Sequence, residues 1–508
     1  MEQHSAAVSR IACRAQEFYA RKQPYSIYHG STNCTRQSTK TPENTIDTSK
    51  LNRVLSVDVE RKVVLTEPNV PMDRLVEATL PHGFIPPVVM EFPGITVGGG
   101  FSGTSGESSS FRHGFFDRTV NWVEIVLANG EIVRASGTEN ADLFYGAASS
   151  FGTLGITTML EVRLIEAKPF VELTHYPVSS VDEAIGKFEE ITADPKYDYL
   201  DGIMFNKNKG VVCAGSLTND AGPHNIQRFT RPTDPWFYMH SEEYVSRKDK
   251  KPVTEIIPIV DYLFRYDRGG FWVGKYAFEY FLFPLTKFMR WALDTIAHAR
   301  VMYHAVHMSG QFREYTIQDV TVPYSGASEL IDFLGESFGK WPLWICPLRQ
   351  TTTQGDSTQV HGLVAQPQNG VSPESDPQMV LSFGIYGPGP FGKNTYFNFN
   401  RNLEKKVQGL GGEKWLYART YYTEEEFWSI YNREKLDDLR RKYHASHLPN
   451  LYQKVRAKPS EKVETGSFFD RALDSIWRTW PICGLYGLLH TLGNGDYLLR
   501  DPRKVKGA

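Results

Sequence analysis

The apolar and polar residues in the first third of the chain alternate in short runs, which is the pattern of half-buried β-strands. Two hairpins are predicted, one from residues 55–59 and 63–65, the other from residues 120–127 and 131–135. Asn129-Gly130, between the last two runs, is a strong signal for a tight hairpin turn. A longer alternating strand is predicted over residues 156–165. This part of the chain is therefore expected to be rich in β-structure.

Helical patterns are shorter and fewer. Residues 72–80 predict a helix that ends at Pro81 and Gly83, and residues 142–145 begin another. Residues 424–443 are predicted to be one helix, since acidic side chains occupy the first turn and basic ones the last. Strands and helices that do not alternate regularly indicate the α+β class.

Changes in composition divide the chain into four predicted regions. Residues 167–169 (AKP) look like a hinge, so residues 1–170 form one predicted domain. The aromatic-rich residues 171–415 form a second, α+β domain. Residues 416–458 are expected to return to the first domain, and residues 459–508 are an extension that could associate with a membrane.

The charge of the chain narrows its possible ligands. Its 508 residues carry 56 Lys and Arg against 58 Asp and Glu, a net charge of −2. Binding to nucleic acid needs an excess of cations on one face, so no such partner is expected. The 30 Phe, 26 Tyr and 10 Trp suit a flat, apolar ligand as well as an interior packed with rings.

Cysteine use and the N-terminal residues indicate an intracellular protein. The five cysteines are widely spaced and form no CxxC pair, so neither a disulfide framework nor a metal site is predicted. Reduced thiols fit an intracellular compartment. Residues 1–21 are polar and lack the apolar core of a signal peptide.

Three loops of small residues carry the candidate chemistry. They are residues 29–33 (HGSTN), 96–103 (TVGGGFSG) and 151–156 (FGTLGI). Glycine allows positive φ and close approach of the backbone to a ligand, and consecutive N–H groups can hold a diphosphate. One such loop is weak evidence, but three in a single β-rich domain favour a large cofactor that carries a diphosphate.

The second loop also satisfies the dinucleotide-binding pattern G-x-G-x-x-G, with Glu124 about 20 residues further on. That site requires a strand before the loop and a helix after it. Residues 92–97 contain proline and glycine, however, and residues 104–110 consist almost entirely of small residues. We therefore reject a Rossmann site and interpret the segment as a platform that brings backbone close to a flat ligand.

These loops resemble the vanillyl-alcohol oxidase / p-cresol methylhydroxylase superfamily, which pairs a first pyrophosphate loop with a T-V-G-G segment and a later G-x-x-G-I strand entry. Within it, the sequence is most similar to the Δ24-sterol reductase (diminuto) family. The resembling stretches include residues 103–110 (GTSGESSS), 127–134 (LANGEIVR), 139–145 (ENADLFY), 318–323 (QDVTVP), 341–347 (WPLWICP) and 424–428 (EEEFW). The resemblance covers residues 20–458. It implies a two-lobed FAD-binding domain of the p-cresol methylhydroxylase type with an α+β substrate domain.

The resemblance also implies which residues bind FAD. Three groups are expected: Gly30, Ser31, Thr32 and Asn33 around the pyrophosphate; Thr96, Gly98, Gly99, Ser102, Gly103, Ser109 and Ser110 along the pyrophosphate and isoalloxazine; Gly152, Gly155 and Ile156 at the adenine or flavin edge. Some members of the superfamily attach FAD covalently through a histidine of the first loop. That position is Asn33 here, so non-covalent FAD is predicted.

The implied reaction is reduction of the Δ24 side-chain double bond of a sterol or related terpenoid by NADPH. An unactivated alkene needs a proton as well as a hydride, so the site requires a general acid and surroundings that tolerate a transient cation. Asp201, Arg401, Arg419, Tyr421 and Tyr422 are the predicted catalytic residues. Asp201 or a tyrosine would donate the proton, and Arg419 would hold the negative pole of the flavin.

Attachment to a membrane surface is predicted at one of two places. Residues 271–293 are aromatic and interrupted by charges, which suits a segment lying on a bilayer or a buried helix pair. The tail has amphipathic spacing at Leu473, Trp477 and Trp480 and could be a second anchor or a docked helix. The resemblance implies the endoplasmic reticulum, with peripheral or monotopic attachment.

Two other hypotheses stay open at this point. One is an FAD-linked oxidase or dehydrogenase of an alcohol or lactone on the same fold. The other is a sterol- or membrane-binding protein without activity. Bleaching of the flavin by NADPH would favour the reductase, release of peroxide the oxidase, and a colourless preparation the binding protein. The oligomeric state is not predicted.

Overall fold

Helices and antiparallel sheets form the chain. The structure, a computed structural model, describes residues 1–30, 41–222, 225–311, 315–350, 379–390, 393–457 and 480–494. Within these ranges lie a five-stranded and an eight-stranded sheet, each antiparallel. The α+β class predicted from the sequence is confirmed.

The first sheet contains the predicted hairpins. The elements of this part are α1 Glu2–Ala20, β1 Ser26–Tyr28, β2 Thr45–Asp47, β3 Val54–Asp58, β4 Val63–Thr66, α2 Met72–Thr79, β5 Phe84–Ile85, α3 Val97–Gly103, α4 Ser110–His113, β6 Val120–Leu127, β7 Ile132–Ser136, α5 Ala141–Ala147, β8 Gly155–Arg163 and β9 Ile165–Glu166. The sheet order is β3-β4-β8-β6-β7. Both hairpins, β3-β4 and β6-β7, are confirmed.

Helix α1 packs on this sheet through a buried histidine. Its buried residues recur every three or four positions and are His4, Ala7, Val8, Ile11, Ala15 and Phe18. His4 Nδ1 lies 2.9 Å from Glu67 Oε1, and His4 Nε2 lies 3.1 Å from Glu124 Oε1. Hydrogen bonds to Glu124 and Glu67 raise the pKa of His4 to about 9. The helix is therefore joined to the sheet by a charged, buried group.

We expect His4→Ala to lower the free energy of unfolding by about 3 kcal/mol at about pH 6, because a buried ion pair loses one partner. The pKa of His4 is higher in the folded chain than the ordinary 6.5, so its contribution is complete below that value and is lost as pH rises through about 9. Urea denaturation at about pH 6 and about pH 10 measures this difference. Arg14→Ala, which breaks an exposed pair with Glu17, is the control. If His4→Ala lowered the free energy of unfolding as much at the higher pH as at the lower one, a stabilising role of charged His4 would be contradicted.

The second sheet spans the middle of the chain. Its elements are β10 Phe170–Val178, α6 Val181–Ala193, β11 Tyr199–Asn206, β12 Lys209–Thr218, α7 Phe237–Val245, β13 Val253–Pro258, α8 Ile259–Leu263, α9 Val273–Tyr280, α10 Lys287–Ala292, α11 Ala299–Ser309, β14 Tyr315–Pro323, α12 Ala327–Ser337, β15 Leu343–Arg349, β16 Met379–Pro388, α13 Lys393–Gly409 and β17 Glu413–Lys414. The strand order is β13-β10-β12-β11-β15-β16-β14-β17. This sheet begins directly after the predicted hinge. The predicted domain boundaries themselves stay predictions.

The two faces of the eight-stranded sheet border different interiors, because successive side chains of a strand point to opposite sides. Val320, Ile345 and Phe383 pack with the residues of α6, α12 and α13 in one core cluster. Ile317, three positions before Val320, and Trp344, next to Ile345, point to the other side and belong to the larger cluster shared with the first sheet. This inner face borders the candidate active site.

The last described helices are α14 Glu424–Ile430, α15 Arg433–Lys442, α16 Leu451–Val455 and α17 Ile482–Asn494. The single helix predicted over residues 424–443 is wrong, because Asn432 leaves helical geometry and its side chain caps α15 by accepting a hydrogen bond from the N–H of Lys435. Helix α15 returns to the first part of the chain, where the Tyr443 hydroxyl donates to Asp142 at 2.6 Å.

Candidate active site

A cavity of about 680 Å³ has walls from both parts of the chain. The first part contributes small residues, among them Thr96, Gly98, Gly99, Ser102, Gly103, Gly152, Gly155 and Ile156. The region around the eight-stranded sheet contributes aromatic residues, among them Phe271, Tyr303, Trp344, Tyr386, Trp415 and Tyr417. A backbone-rich wall therefore faces a wall of rings across one space.

The second predicted loop is the helix α3. Thr96 caps it, since its Oγ1 accepts a hydrogen bond from the N–H of Gly99 at 3.2 Å. A Cβ atom on Gly98 would lie 2.7 Å from Pro68 Cβ, and one on Gly100 would lie 2.4 Å from Met90 Cε. The expectation of a loop was wrong because close packing outweighs the low helix propensity of glycine. The absence of side chains lets the helix press against its neighbours while Gly99 and Gly103 border the cavity.

The third predicted loop precedes β8 and lines the same cavity. Gly152 has a φ of +79°, and a Cβ atom there would lie 2.6 Å from Ile27 Cδ1. A Cβ atom on Gly155 would lie 2.7 Å from Ile125 Cγ2. Both positions therefore require glycine, the first for backbone conformation and the second for packing.

Part of the first predicted loop is described. His29 lines the cavity, and Gly30 has a φ of +77°. Ser31, Thr32 and Asn33 lie outside the described residues, so their contact with the pyrophosphate stays a prediction.

Ser109 and Ser110 are buried away from the cavity wall. The Ser109 hydroxyl donates to Pro87 O at 2.7 Å, and Ser110 Oγ accepts a hydrogen bond from the N–H of Glu107 at 3.0 Å. These bonds order the turn that follows α3. A direct contact of either serine with FAD stays a prediction.

The chemistry of the small-residue wall fits FAD. Glycines 98, 99, 103, 152 and 155 have no side chain at the cavity wall, so a ring or a diphosphate could come close to the backbone there. Ser102, Ser105 and Thr157 add hydroxyl groups at the cavity surface. The eight predicted cofactor residues that line the cavity could therefore hold FAD, and this assignment stays a prediction.

Asp201 lies in the interior of the eight-stranded sheet. Its Oδ2 accepts hydrogen bonds from Arg265 Nη2 at 2.8 Å, the Tyr266 hydroxyl at 2.8 Å and Trp344 Nε1 at 3.0 Å. The side chain is fully buried and is absent from the cavity lining. These contacts are those of a structural ion pair, and its predicted role as proton donor remains untested.

The other four predicted catalytic residues gather near the α13–α14 contact, outside the cavity lining. Arg401 donates to Tyr421 O at 2.7 Å and to Glu426 Oε1 at 2.8 Å. Arg419 Nη2 donates to the hydroxyl of Tyr396 at 3.3 Å, and the Tyr422 hydroxyl donates to Glu404 O at 3.3 Å. Their roles stay predictions, and their hydrogen-bond partners lie on α13, α14 and the segment between β17 and α14.

Sequence reasoning missed an acidic residue in the cavity wall. Asp319 lies on β14, accepts hydrogen bonds from Tyr386 and Tyr417, and borders the cavity together with both. One signal could have indicated it. Asp319 lies between the buried Gln318 and Val320 in the strand of residues 315–323, so its side chain points to the other face of the sheet. Polar alternation alone cannot distinguish a cavity from solvent.

The two segments predicted to contact a membrane lie together. Trp480 Nε1 donates to Tyr280 O at 2.7 Å, and Cys483 Sγ lies 3.1 Å from the Tyr280 hydroxyl. These two segments expose large apolar side chains: Leu282 by 74%, Phe288 by 67%, Trp291 by 53%, Trp480 by 52% and Leu489 by 67%. We call these five residues the apolar surface. Leu473 and Trp477 lie outside the described residues.

The described residues lack two features, a membrane-spanning helix and a metal-binding cluster. No helix in them combines the length and the apolar character needed to cross a bilayer. In the same ranges, no group of three or more His, Cys, Asp or Glu side chains is arranged to hold a metal ion.

Comparison with known proteins agrees with this geometry. Residues 4–136 match the family described as FAD binding domain. Human Delta(24)-sterol reductase is 28% identical over 415 residues, which cover 79% of this chain and 76% of that protein. The Delta(24)-sterol reductase of Arabidopsis thaliana is 28% identical over 442 residues, which cover 82% and 77%. Cytokinin dehydrogenase 4 of Oryza sativa subsp. japonica is 32% identical over 140 residues, 27% of this chain and 26% of that protein.

The matches extend over both walls of the cavity, because the two reductases align with about four fifths of the chain. The FAD family covers the segment that contains α3 and its glycines. The chain is therefore a homologue of the Delta(24)-sterol reductases and contains an FAD-binding domain of the p-cresol methylhydroxylase type.

Proposed function

We propose that this protein reduces the Δ24 side-chain double bond of a sterol or related terpenoid, with FAD as cofactor and NADPH as reductant. The observation that carries the proposal is the single cavity that joins the glycine-lined wall to the aromatic wall. The names of the similar proteins support the choice of substrate. Bound FAD would supply the hydride-transfer chemistry, with NADPH as the source of the hydride that one carbon of the double bond receives.

The aromatic wall suits a neutral, apolar substrate. Phe271, Trp344 and Tyr386 are buried. The ring centroid of Phe271 lies 5.5 Å from that of Trp344 and 5.1 Å from that of Tyr386. Met302 and Ile317 add flexible and branched apolar surface. Such a pocket binds a sterol through burial of apolar area, and the faces of its rings can stabilise positive charge that develops at the alkene.

The test separates the two half-reactions. Purified yellow protein is mixed anaerobically with NADPH, and the visible absorbance of the flavin should bleach. A sterol with a Δ24 double bond, added next, should restore it. Mass spectrometry should show the product heavier by two hydrogens. The alternative, an oxidase or dehydrogenase, predicts a different result. NADPH would not bleach the flavin, whereas a hydroxylated substrate would bleach it and peroxide would be released in air.

We propose further that FAD is bound without a covalent bond. The first-loop position that carries the histidine in covalent members is Asn33, although His29 also lines the cavity. Acid precipitation should leave the yellow colour in the supernatant. Colour retained on the pellet would overturn this proposal, and mass analysis of a His29→Ala variant would then show whether His29 is the attachment point.

We also propose that the apolar surface rests on a membrane, that of the endoplasmic reticulum. Helix α17 packs on α11 so closely that a Cβ atom on Gly487 would lie 2.4 Å from Ala305 O. Residues 303, 304, 306, 307 and 308 of α11 line the cavity. The surface is therefore one helix away from the cavity, which suits a substrate that dissolves in lipid.

The double variant Phe288→Ser/Trp291→Ser should bind liposomes about a hundredfold more weakly, since the two side chains together contribute ~3 kcal/mol when buried in lipid. Co-sedimentation with phosphatidylcholine–phosphatidylserine vesicles measures the partition coefficient. Val59→Ser/Ile132→Ser removes apolar side chains of similar exposure from the first sheet and is the matched control. Equal binding by the two double variants would refute a docking role for the apolar surface.

A further inference from the structure

The carboxyl group of Asp319, at the cavity wall, accepts hydrogen bonds from two tyrosine hydroxyl groups. The Tyr386 hydroxyl donates to Oδ1 at 2.6 Å, and the Tyr417 hydroxyl donates to Oδ2 at 2.6 Å. All three side chains line the cavity. The carboxyl therefore has both oxygens fixed in place while it borders the space that substrate would occupy.

Neighbouring strands provide the room for this arrangement. Asp319 on β14 is paired with Gly384 on β16, two residues before Tyr386. A Cβ atom on Gly384 would lie 2.6 Å from the hydroxyl oxygen of Tyr386, so glycine at this position lets the ring lie across the strand and reach the carboxyl. The cluster thus depends on a glycine that β-propensity alone would disfavour.

The segment that follows β17 links the cluster to the FAD-binding part. The N–H of Trp415 donates to Asp319 O at 3.0 Å, and its Nε1 donates to Thr104 O at 2.9 Å. Thr104 directly follows α3, whose residue Gly103 borders the cavity. The position of Asp319 is therefore fixed relative to the wall that would hold the cofactor.

The surroundings keep Asp319 partly protonated near neutral pH. Burial raises its pKa to about 6, and the hydrogen bonds from Tyr386 and Tyr417 oppose this rise. Tyr303 on α11 also acts electrostatically on Tyr386 and raises the pKa of its hydroxyl. On the neighbouring strand β17, the Lys414 ammonium group is paired with Glu404 at 2.8 Å. Desolvation and two neutral hydroxyls thus set the protonation of this carboxyl.

We propose that the Asp319 carboxyl, held between Tyr386 and Tyr417, is the proton donor of the alkene reduction. This inference rests on the proposed function. In the step, the π electrons of the double bond form a C–H bond with the carboxyl proton, and the O–H bond breaks to leave the carboxylate. The hydride named above supplies the electron pair at the other carbon. The two tyrosine hydroxyls stabilise the carboxylate, which regains a proton from water.

The experiment uses the FAD-loaded full chain and stopped-flow absorbance. The flavin of the Asp319→Asn variant should bleach with NADPH at a rate within about threefold of that in the unchanged protein. Its reoxidation by the Δ24 sterol should be about 10²–10⁴-fold slower. In the unchanged protein, reoxidation should be fastest below about pH 6 and should fall as pH rises, because the protonated acid is required. Tyr417→Phe removes a stabiliser of the carboxylate and should move this fall to higher pH.

Glu413 is the matched comparison, because it is a carboxyl on the neighbouring strand β17, outside the cavity lining, and burial raises its pKa to about 7. The flavin of Glu413→Gln should reoxidise within about threefold of the rate of the unchanged protein. Reoxidation that stayed fast in Asp319→Asn, or that was lost in Glu413→Gln instead, would overturn the proposal. Absence of bleaching in the unchanged protein would refute the proposed function itself.

A measurement on FAD-free protein checks the acid directly. Infrared difference spectra should show a protonated carboxyl band that disappears as pH rises through about 6. Asp319→Asn should remove this band, and Glu413→Gln should retain it. A titration near pH 6 that survives in Asp319→Asn would assign the band to another group and contradict the proposal.

Discussion

Arg265→Met is expected to lower the free energy of unfolding by about 3–5 kcal/mol, because it leaves the Asp201 carboxylate buried without its counter-charge. The two side chains are 1% and 0% exposed, and Arg265 Nη2 lies 2.8 Å from Asp201 Oδ2. Burial by itself would lower the pKa of Arg265, but the neighbouring Asp201 raises it above its ordinary value. Urea denaturation followed by circular dichroism measures the loss.

The double variant Arg265→Met/Asp201→Asn is the control for this expectation. An amide oxygen at position 201 can still accept hydrogen bonds from Tyr266 and Trp344, so the double variant should regain more than half of the lost stability. If Arg265→Met stayed within about 1 kcal/mol of the unchanged protein, the pair would not be a structural element. Retention of sterol reduction by Asp201→Asn would show that this carboxyl is not the proton donor.

Gly103→Val is expected to weaken FAD binding by about a hundredfold, ~2.7 kcal/mol, while the chain stays folded. Gly103 borders the cavity, and the nearest atom to an added Cβ is Ser105 Oγ at 3.5 Å, which is ordinary contact. The larger side chain therefore extends into space that the cofactor would use. Fluorescence titration of FAD-free protein with FAD gives the dissociation constant, and the melting temperature without FAD should change little.

Gly100→Val, three residues earlier in the same helix, is the matched variant. Its Cβ would lie 2.4 Å from Met90 Cε and 3.0 Å from Phe116 Cδ1, both in the core. We expect a lower melting temperature in the absence of FAD, because this side chain overpacks the interior. If the two variants bound FAD equally and melted alike, α3 would not separate the cofactor wall from the core.

Much of the first part of the chain followed from local pattern. The hairpins β3-β4 and β6-β7 and the helix α2 were predictable, because their alternation and turn signals act between neighbouring residues. Helix α3 was not, since close contacts with Pro68, Met90 and Phe116 favour glycine at positions 98 and 100, and no local pattern shows those contacts. The break at Asn432 was also missed. The charge pattern shows that a helix is present, but the capping hydrogen bond of Asn432 sets where α15 begins.

The candidate site divides in the same way. Eight of the predicted cofactor residues line the cavity, because the glycine segments are local motifs whose backbone is their chemistry. The predicted catalytic residues are placed elsewhere. Asp201 was a plausible acid by sequence, but two flanking strands and Arg265 enclose it. Asp319 gained its position from Gly384 and Trp415, which are distant in sequence.

Residue types and short-range patterns were sufficient to predict the α+β class, the small-residue wall suited to FAD and the aromatic richness of the second part. None of these properties needs coordinates. The packing of distant segments sets which rings face the cavity and which fill the core: Trp236 and Trp272 are fully buried, whereas Trp344 and Tyr386 border the cavity. It also brought residues 271–293 beside the C-terminal helix and placed two tyrosines on one carboxyl. Such contacts join residues tens to hundreds of positions apart, and no local pattern encodes them.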